Sequence, residues 1–352
     1  MLSQEDRSFI ARMPKAELHV HLEGSVRPAT LLELGKQHGV VYPFTDAAGA
    51  LEWFRFRDFP HFIDIYLGVM QSLLTSEDHE RVVYEIGEDA ARQNIRYMEI
   101  TFSPASPLNP RSSALPDVVL RGIRAGARRV WQDFGVQMAF ILDPVRTRTE
   151  EEVYWFARWC ADNLGDGLIG FGLGGTEVDN PPQRYQRAFD WVRAAGARVS
   201  VHAGETVGPE SVRAALAVGS ERIGHGVRAV EDPELVRELA DRGVVLEVSP
   251  TSNICLGVYP SYAEHPFRDL HEAGVTVTVN SDDPPMFNTT LTNEYVVLAE
   301  QFGFSRAELC EISLRAVDAA FLPDEQRRAL RAEFVAAFQQ LNGVEPEGSG
   351  GA

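Results

Sequence analysis

Short apolar runs recur along the chain, most of them rich in β-branched residues. They are KAELHVHL (15–22), RYMEITFS (96–103), VQMAFILD (136–143), LIGFGLGG (168–175), RVSVHAGE (198–205), RIGHGV (222–227), VVLEVSPT (244–251) and VTVTVNSD (275–282). Their length and composition fit buried strands. Helical patterns lie between most of them. Asp232-Pro233 opens PELVRELADR as an N-cap followed by proline at the first helical position, and Gly243 stops it. HPFRDLHEAG ends at Gly274 in the same way. Strands alternating with helices imply a parallel sheet, and eight such units imply an α/β fold, a (β/α)8 TIM barrel.

The connection after strand 1, residues 24–95, is too long for one helix, so extra helices are expected there. Part of it, 44–66, carries Phe44, Trp53, Phe54, Phe56, Phe59, Phe62 and Tyr66. These aromatics pack the inserted helices together, or some form an apolar wall over the barrel mouth. No internal repeat is visible. The expected organisation is one barrel domain over 1–342, followed by a disordered tail over 343–352 that ends in VEPEGSGGA.

Composition narrows the partners. The chain has 352 residues, 44% of them hydrophobic, enough for one large barrel core. The net charge of −18 argues against nucleic acid or an anionic membrane as partner and leaves a small molecule. No run approaches the ~20 apolar residues of a membrane span, and the N-terminus lacks a secretory pattern. The three cysteines form no CxxC pair. A cytoplasmic location is the natural expectation.

Chemistry concentrates at the ends of the expected strands. His19 and His21 are two apart and share one face of strand 1, together with Glu17, while Ala16, Leu18 and Val20 face the other way. Both imidazoles therefore look into the barrel. His202 has the same arrangement on strand 5, and His225 stands between Gly224 and Gly226, which leave space around it. Asn280 and Asp282 share the inward parity of Thr276 and Thr278, so Asp282 points toward the three imidazoles. Three imidazoles and a carboxylate suit a divalent cation such as zinc, which would offset the repulsion between Asp282 and Asp283. A helix-capping turn is the plainer reading of DDPP taken alone. Glu205 lies three residues past His202 at the mouth, where a carboxylate can act as general acid or base. His38, His61, His79, His265 and His271 fall in helical or loop patterns and receive no chemistry.

Two patterns mislead. Gly170, Gly172 and Gly175 fit GxGxxG, yet TEVDNPP follows where a dinucleotide site needs a helix. These glycines are expected to let a flat ligand lie against the backbone. His21-Leu22-Glu23 is an HxE, but the PCxxC that completes a cytidine-type deaminase site is missing.

Together, PKAELHVHLEGS, VHAGE, ERIGHG, SPTSN and VNSDDP, in that order, resemble the adenosine deaminase family of the amidohydrolase superfamily. The resemblance implies one zinc per chain at the C-terminal mouth of a barrel and hydrolytic removal of a purine 6-amino group. It implies His19, His21, His202 and Asp282 as metal ligands and Glu205 as the acid that protonates purine N1. His225 resembles the group that orients the attacking water, Asp283 the partner of N7, and Gly175 the backbone that meets N3.

Two stretches depart from the familiar enzymes. HLEG stands where they read HLDG; that aspartate lies near the ribose 5′-hydroxyl, so Glu23 leaves the 5′ end of the substrate open, and the resemblance implies His21 and Glu23 among the substrate-binding residues. GLGGTEVDNPP stands for DLAGDE and is closer to adenine deaminases and to relatives acting on 5′-modified adenosines such as aminodeoxyfutalosine. The expected substrate is a 6-aminopurine nucleoside, plain or 5′-modified, with free adenine as the alternative. A different metal hydrolase and a catalytically silent purine-binding protein are the readings from other classes.

Overall fold

The computed structural model describes residues 2–105, 108 and 114–343. Residues 344–352 of the expected tail lie outside the described residues.

Eight strands form one sheet in sequence order, each parallel to the next. They are β1 (Lys15–His21), β2 (Ile95–Phe102), β3 (Gln137–Leu142), β4 (Leu168–Phe171), β5 (Arg198–Ala203), β6 (Arg222–His225), β7 (Val245–Val248) and β8 (Thr276–Val279). All eight apolar runs are strands, and the ladder stops one to four residues before most of the runs end. Those last residues leave the ladder to build the mouth. The circle closes through the site itself. Val20 bridges Asp282, the His21 N–H donates to the Asp282 carbonyl at 2.9 Å, and the Asp282 N–H donates to the His19 carbonyl at 3.2 Å.

Helix α1 (Gln4–Arg12) precedes the barrel. The connection after β1 holds the expected extra helices: α2 (Pro28–His38), α3 (Ala47–Trp53), α4 (Phe59–Met70) and α5 (Ser76–Arg92). Single helices follow the next strands: α6 (Pro116–Phe134), α7 (Glu150–Asn163), α8 (Gln186–Ala194) and α9 (Pro209–Ala217). Helix α10 (Pro233–Arg242) is capped by Asp232, whose side chain accepts from the N–H groups of Glu234 and Leu235, and it ends on left-handed Gly243. The remainder is α11 (Pro250–Cys255), α12 (Phe267–Glu272), α13 (Pro284–Phe287), α14 (Leu291–Gln301), α15 (Arg306–Ala319) and α16 (Asp324–Leu341). Among the described residues no helix is long and apolar enough to cross a membrane, and the three cysteines are free.

The barrel interior is not wholly apolar. Arg222 is fully buried and donates to Glu247 and Glu99, with the Phe321 ring 3.5 Å from its guanidinium carbon. A buried cation needs such partners, because its desolvation otherwise outweighs what packing returns. The second oxygen of Glu247 reaches toward the mouth of the barrel, where it lies 2.9 Å from His19 Nδ1.

One expectation about β1 is corrected. Its register shifts between Glu17 and Val20, where both Leu18 and His19 donate backbone N–H bonds to Asn280 Oδ1. An extra residue reverses the alternation. Ala16 therefore pairs with Tyr97 on the inner face, and Glu17 pairs with Met98 on the outer one. Glu17 accepts from the backbone N–H and hydroxyl of Ser281, beside the loop that carries Asp282.

Candidate functional site

His19 and His21 leave β1 on its inner face and meet His202 from β5. The two Nε2 atoms of His21 and His202 lie 3.2 Å apart. Asp282 Oδ1 is 3.2 Å from His21 Nε2 and 3.5 Å from His19 Nε2. All four side chains are buried. His19 Nε2 makes no hydrogen bond within the protein, while its Nδ1 is held by Glu247. Asp282 Oδ2 accepts from Ser252 Oγ at 2.6 Å. Several nitrogen and oxygen donors thus converge on one point, each oriented from behind. This donor set fits a divalent cation of the zinc class.

The electrostatics agree. Burial opposes charge on His19 and His21, but carboxylates win. Asp282 and Glu247 hold His19 up at about 10, and Asp283 and Asp282 hold His21 up at about 9. The same negative potential would attract a cation. His202 is pushed well down by burial and by the charges of His19 and His21. In the Asp282–Asp283 pair, burial raises both, yet the imidazoles of His19 and His21 beside it keep Asp282 well below the usual carboxylate range. Asp283, buried beside that charge, is pushed well above it.

Asp282 and His225 reach the site by the same backbone device. Both are non-glycine residues with left-handed backbones, φ 65° and 63°. Such strain persists only where surrounding contacts hold it, and it clusters at functional sites. His225 pairs with Ala203, on the outward face of the ladder, so strand alternation alone would turn it away. The expectation that Gly224 makes room for His225 is corrected too: a Cβ on Gly224 would lie 2.9 Å from His19 Cε1, so the space serves His19.

Glu205 follows left-handed Gly204 and lies 3.7 Å from His225 Nε2 through its Oε1. Burial, then the Asp282 and Glu177 carboxylates, push its pKa well above the ordinary value. The buried surroundings thus favour the neutral carboxylic acid over the carboxylate at Glu205. Burial lowers His225 to about 4, so that ring stays neutral.

A cavity of about 470 Å³ opens over these groups. His21, His202, Glu205, His225, Asp282, Asp283 and Gly175 line it. Its wall is one face of α4, with Phe59, Phe62, Ile63, Tyr66, Leu67 and Met70. Both readings of the aromatic segment hold: Trp53 packs with Tyr42 and Phe44 among the inserted helices, while Phe62 and Tyr66 face the cavity. His19 lies beneath its floor. Glu23 does not line it either: its carboxylate accepts from the Tyr66 hydroxyl at 2.8 Å and from the Ser103 N–H at 2.9 Å. Of the GxGxxG glycines only Gly175 lines the cavity, and Gly172 makes room for Asp143. The next helical turn after β4 is a short one at Pro182–Tyr185, in keeping with the rejection of a dinucleotide site.

Several residues escaped the sequence reading. Glu177 accepts from the backbone N–H groups of Gly204, Glu205 and Thr206 at 2.8–2.9 Å, clamping the loop that presents Glu205. Asp143 Oδ1 is buried, unpaired and at the cavity wall. Asn253 and His265 stand behind His225. Only Glu247 left a usable signal: a carboxylate at an inward position of the apolar run VVLEV.

The adenosine deaminase family model matches residues 14–337. The chain is 40% identical over 318 residues to an aminodeoxyfutalosine deaminase of Streptomyces coelicolor, covering 90% of this chain and 82% of that one. It is 42% identical over 321 residues to an adenine deaminase of Rhizobium leguminosarum bv. trifolii, covering 91% and 98%. An amidohydrolase from Burkholderia ambifaria, solved with bound zinc, superimposes with a TM-score of 0.88 at 29% identity, over 97% of this chain and 95% of that one. The family match runs through every strand of the barrel and every residue of the cluster, and the chain belongs to the adenosine deaminase family.

Proposed function

We propose that this protein hydrolytically removes the 6-amino group of a purine nucleoside, giving the 6-oxopurine and ammonia. The observation that carries this reading is the buried Glu205, its pKa raised by burial and by neighbouring carboxylates, facing the same cavity as Asp283 and the His–Asp cluster. A deaminase must put a proton on the ring as water adds at C6, and a carboxylic acid kept neutral by burial can supply it.

His19, His21, His202 and Asp282 would hold one zinc. When bound, zinc lowers the pKa of a coordinated water toward about 7, which provides the nucleophile near neutrality. The protein's own groups do the rest. Glu205 gives its proton to N1, Asp283 meets N7, and the backbone at Gly175 meets N3. His225 orients the incoming water. The apolar face of α4 excludes bulk solvent, which strengthens each of these polar contacts.

Two features favour a 5′-modified adenosine over plain adenosine. Glu23 does not line the cavity and its carboxylate is held by Tyr66 and Ser103, so it is not presented to a 5′-hydroxyl there. It acts instead by fixing Tyr66 in the wall, and His21 borders the same region. The cavity, about 470 Å³, also falls in the roughly 300–1,000 Å³ range that encloses drug-sized ligands. Free adenine is the second reading, favoured by the similarity to the Rhizobium adenine deaminase.

The test is kcat/KM of the zinc-loaded protein on adenosine, 5′-methylthioadenosine, aminodeoxyfutalosine and adenine, followed by loss of 6-aminopurine absorbance. Preference for a 5′-modified nucleoside is expected. Preference for adenine would select the second reading, and no turnover of any of the four would overturn both.

A further inference from the structure

Behind His225 runs a chain of hydrogen bonds whose direction can be read from one end. Phe267 N–H lies 3.2 Å from His265 Nδ1. A backbone N–H only donates, so His265 Nδ1 is an acceptor. His265 is buried, and burial lowers it to about 3, which keeps the ring neutral. Its proton therefore sits on Nε2, which faces Asn253 Oδ1 at 3.0 Å. The amide oxygen of Asn253 is thereby assigned to the His265 side. The amide nitrogen must then face His225 Nδ1, at 3.3 Å. An NH₂ group only donates, so His225 Nδ1 is an acceptor as well.

We infer that Asn253 and His265 are positioning residues that set the tautomer of His225, placing its proton on Nε2, the nitrogen that faces the cavity and Glu205. The polarity of the whole chain is set by the backbone N–H of Phe267, the second residue after His265.

The consequence is chemical. Two overlapping groups of donors could hold a cation here, His19–His21–Asp282 and His19–His202–His225. A ring nitrogen that bears a proton has no lone pair for a metal, so the chain removes His225 from the second group. It leaves His225 as a hydrogen-bond donor toward the cavity. With the opposite tautomer His225 would present a lone pair, compete for the cation and lose its N–H toward the incoming oxygen. A wrong histidine tautomer elsewhere costs turnover with the geometry intact.

This rests on His225 serving the reaction proposed above, but its test does not require the substrate to be known. The zinc-loaded protein, with ¹⁵N-labelled histidine, is examined by long-range ¹H–¹⁵N correlation without substrate. In the native protein the His225 proton is expected on Nε2. Asn253→Asp keeps the shape of the side chain but offers only acceptors, and it should draw that proton to Nδ1. His265→Leu should leave a mixture of tautomers. His265→Gln, whose amide can again donate toward Asn253, should restore the native tautomer. Turnover should follow the tautomer. Asn253→Asp and His265→Leu should lose about 10- to 100-fold in kcat, as for other residues that orient a site from behind. KM and zinc content should change little, and His265→Gln should recover most of the loss. A native His225 with its proton on Nδ1 would overturn the inference, as would a His265→Leu variant that keeps both tautomer and kcat. If the tautomers behave as expected and none of the four purines is turned over, the substrate reading fails and this one stands.

Discussion

Gly24 and Asp283 share one volume: a Cβ built on Gly24 would lie 1.6 Å from Asp283 Oδ1. The glycine of HLEGS is thus required by a carboxylate about 260 residues further on, at the end of the barrel's last strand. Gly24→Ala should push Asp283 out of place. Overpacking of this kind costs about 1–3 kcal/mol, so thermal stability should fall. A displacement near 1 Å at a contact group costs on the order of 100-fold in kcat/KM. Wild-type kcat/KM in Gly24→Ala would remove Asp283 from the substrate contacts.

Glu205→Gln should retain zinc and the fold while losing the proton donor. General acid catalysis contributes about 10²–10⁴-fold, and kcat should drop by that order with metal content unchanged by elemental analysis. Near-normal kcat would take Glu205 out of the mechanism.

Asp282→Ala should lower zinc content. A ligand that binds only the folded state raises its melting temperature, so added zinc should raise Tm in the native protein and much less in the variant. An equal rise in both, with equal metal content, would refute Asp282 as a ligand.

Glu247 makes acid stability testable. Burial alone would raise its pKa, but Arg222 and His19 outweigh this and hold it down at about 2, against an ordinary 4.5. A depressed carboxylate stabilises the fold fully above its unfolded pKa, and the contribution fades as pH falls from about 4.5 to about 2. In chelator-treated protein, the Tm gap between native and Glu247→Gln should therefore be wide at neutral pH and narrow across that window. A gap that stays constant down to pH ~2 would contradict the assignment.

Ile63, on the cavity wall in α4, tests the size of the substrate. Ile63→Trp should reduce kcat/KM for a 5′-extended adenosine by about tenfold or more while sparing free adenine, since differences of pocket volume are worth about 1–3 kcal/mol. Equal losses on both would mean that the outer cavity does not hold the 5′ group.

The barrel was legible because its evidence is local. Each strand is a short β-branched run bounded by polar or glycine residues, and α10 carries its own start in Asp232-Pro233 and its own stop in Gly243. Histidines two apart on β1 and a carboxylate ending β8 needed only alternation and barrel order to be brought together. Alternation also failed in instructive ways. The register shift in β1 turns Glu17 outward, and the left-handed backbone at His225 turns inward a side chain that a regular strand would aim elsewhere. Neither feature has a residue-type signature of its own, because Leu, His and Asp do not announce a bulge or a positive φ.

The sequence by itself determined the eight-strand alternation, the inserted helices, and the donor types His19, His21, His202, Asp282 and Glu205. These follow from hydrophobic periodicity and from which side chains can bind a cation or move a proton. Only the tertiary structure decided that Glu177 clamps the Glu205 loop, that Glu23 is spent on Tyr66 and Ser103, and that His265 and Asn253 stand behind His225. Each of these is a hydrogen bond between segments far apart in the chain. Its direction and partner are chosen by how the strand ends pack around one cavity, and no spacing along the sequence encodes that.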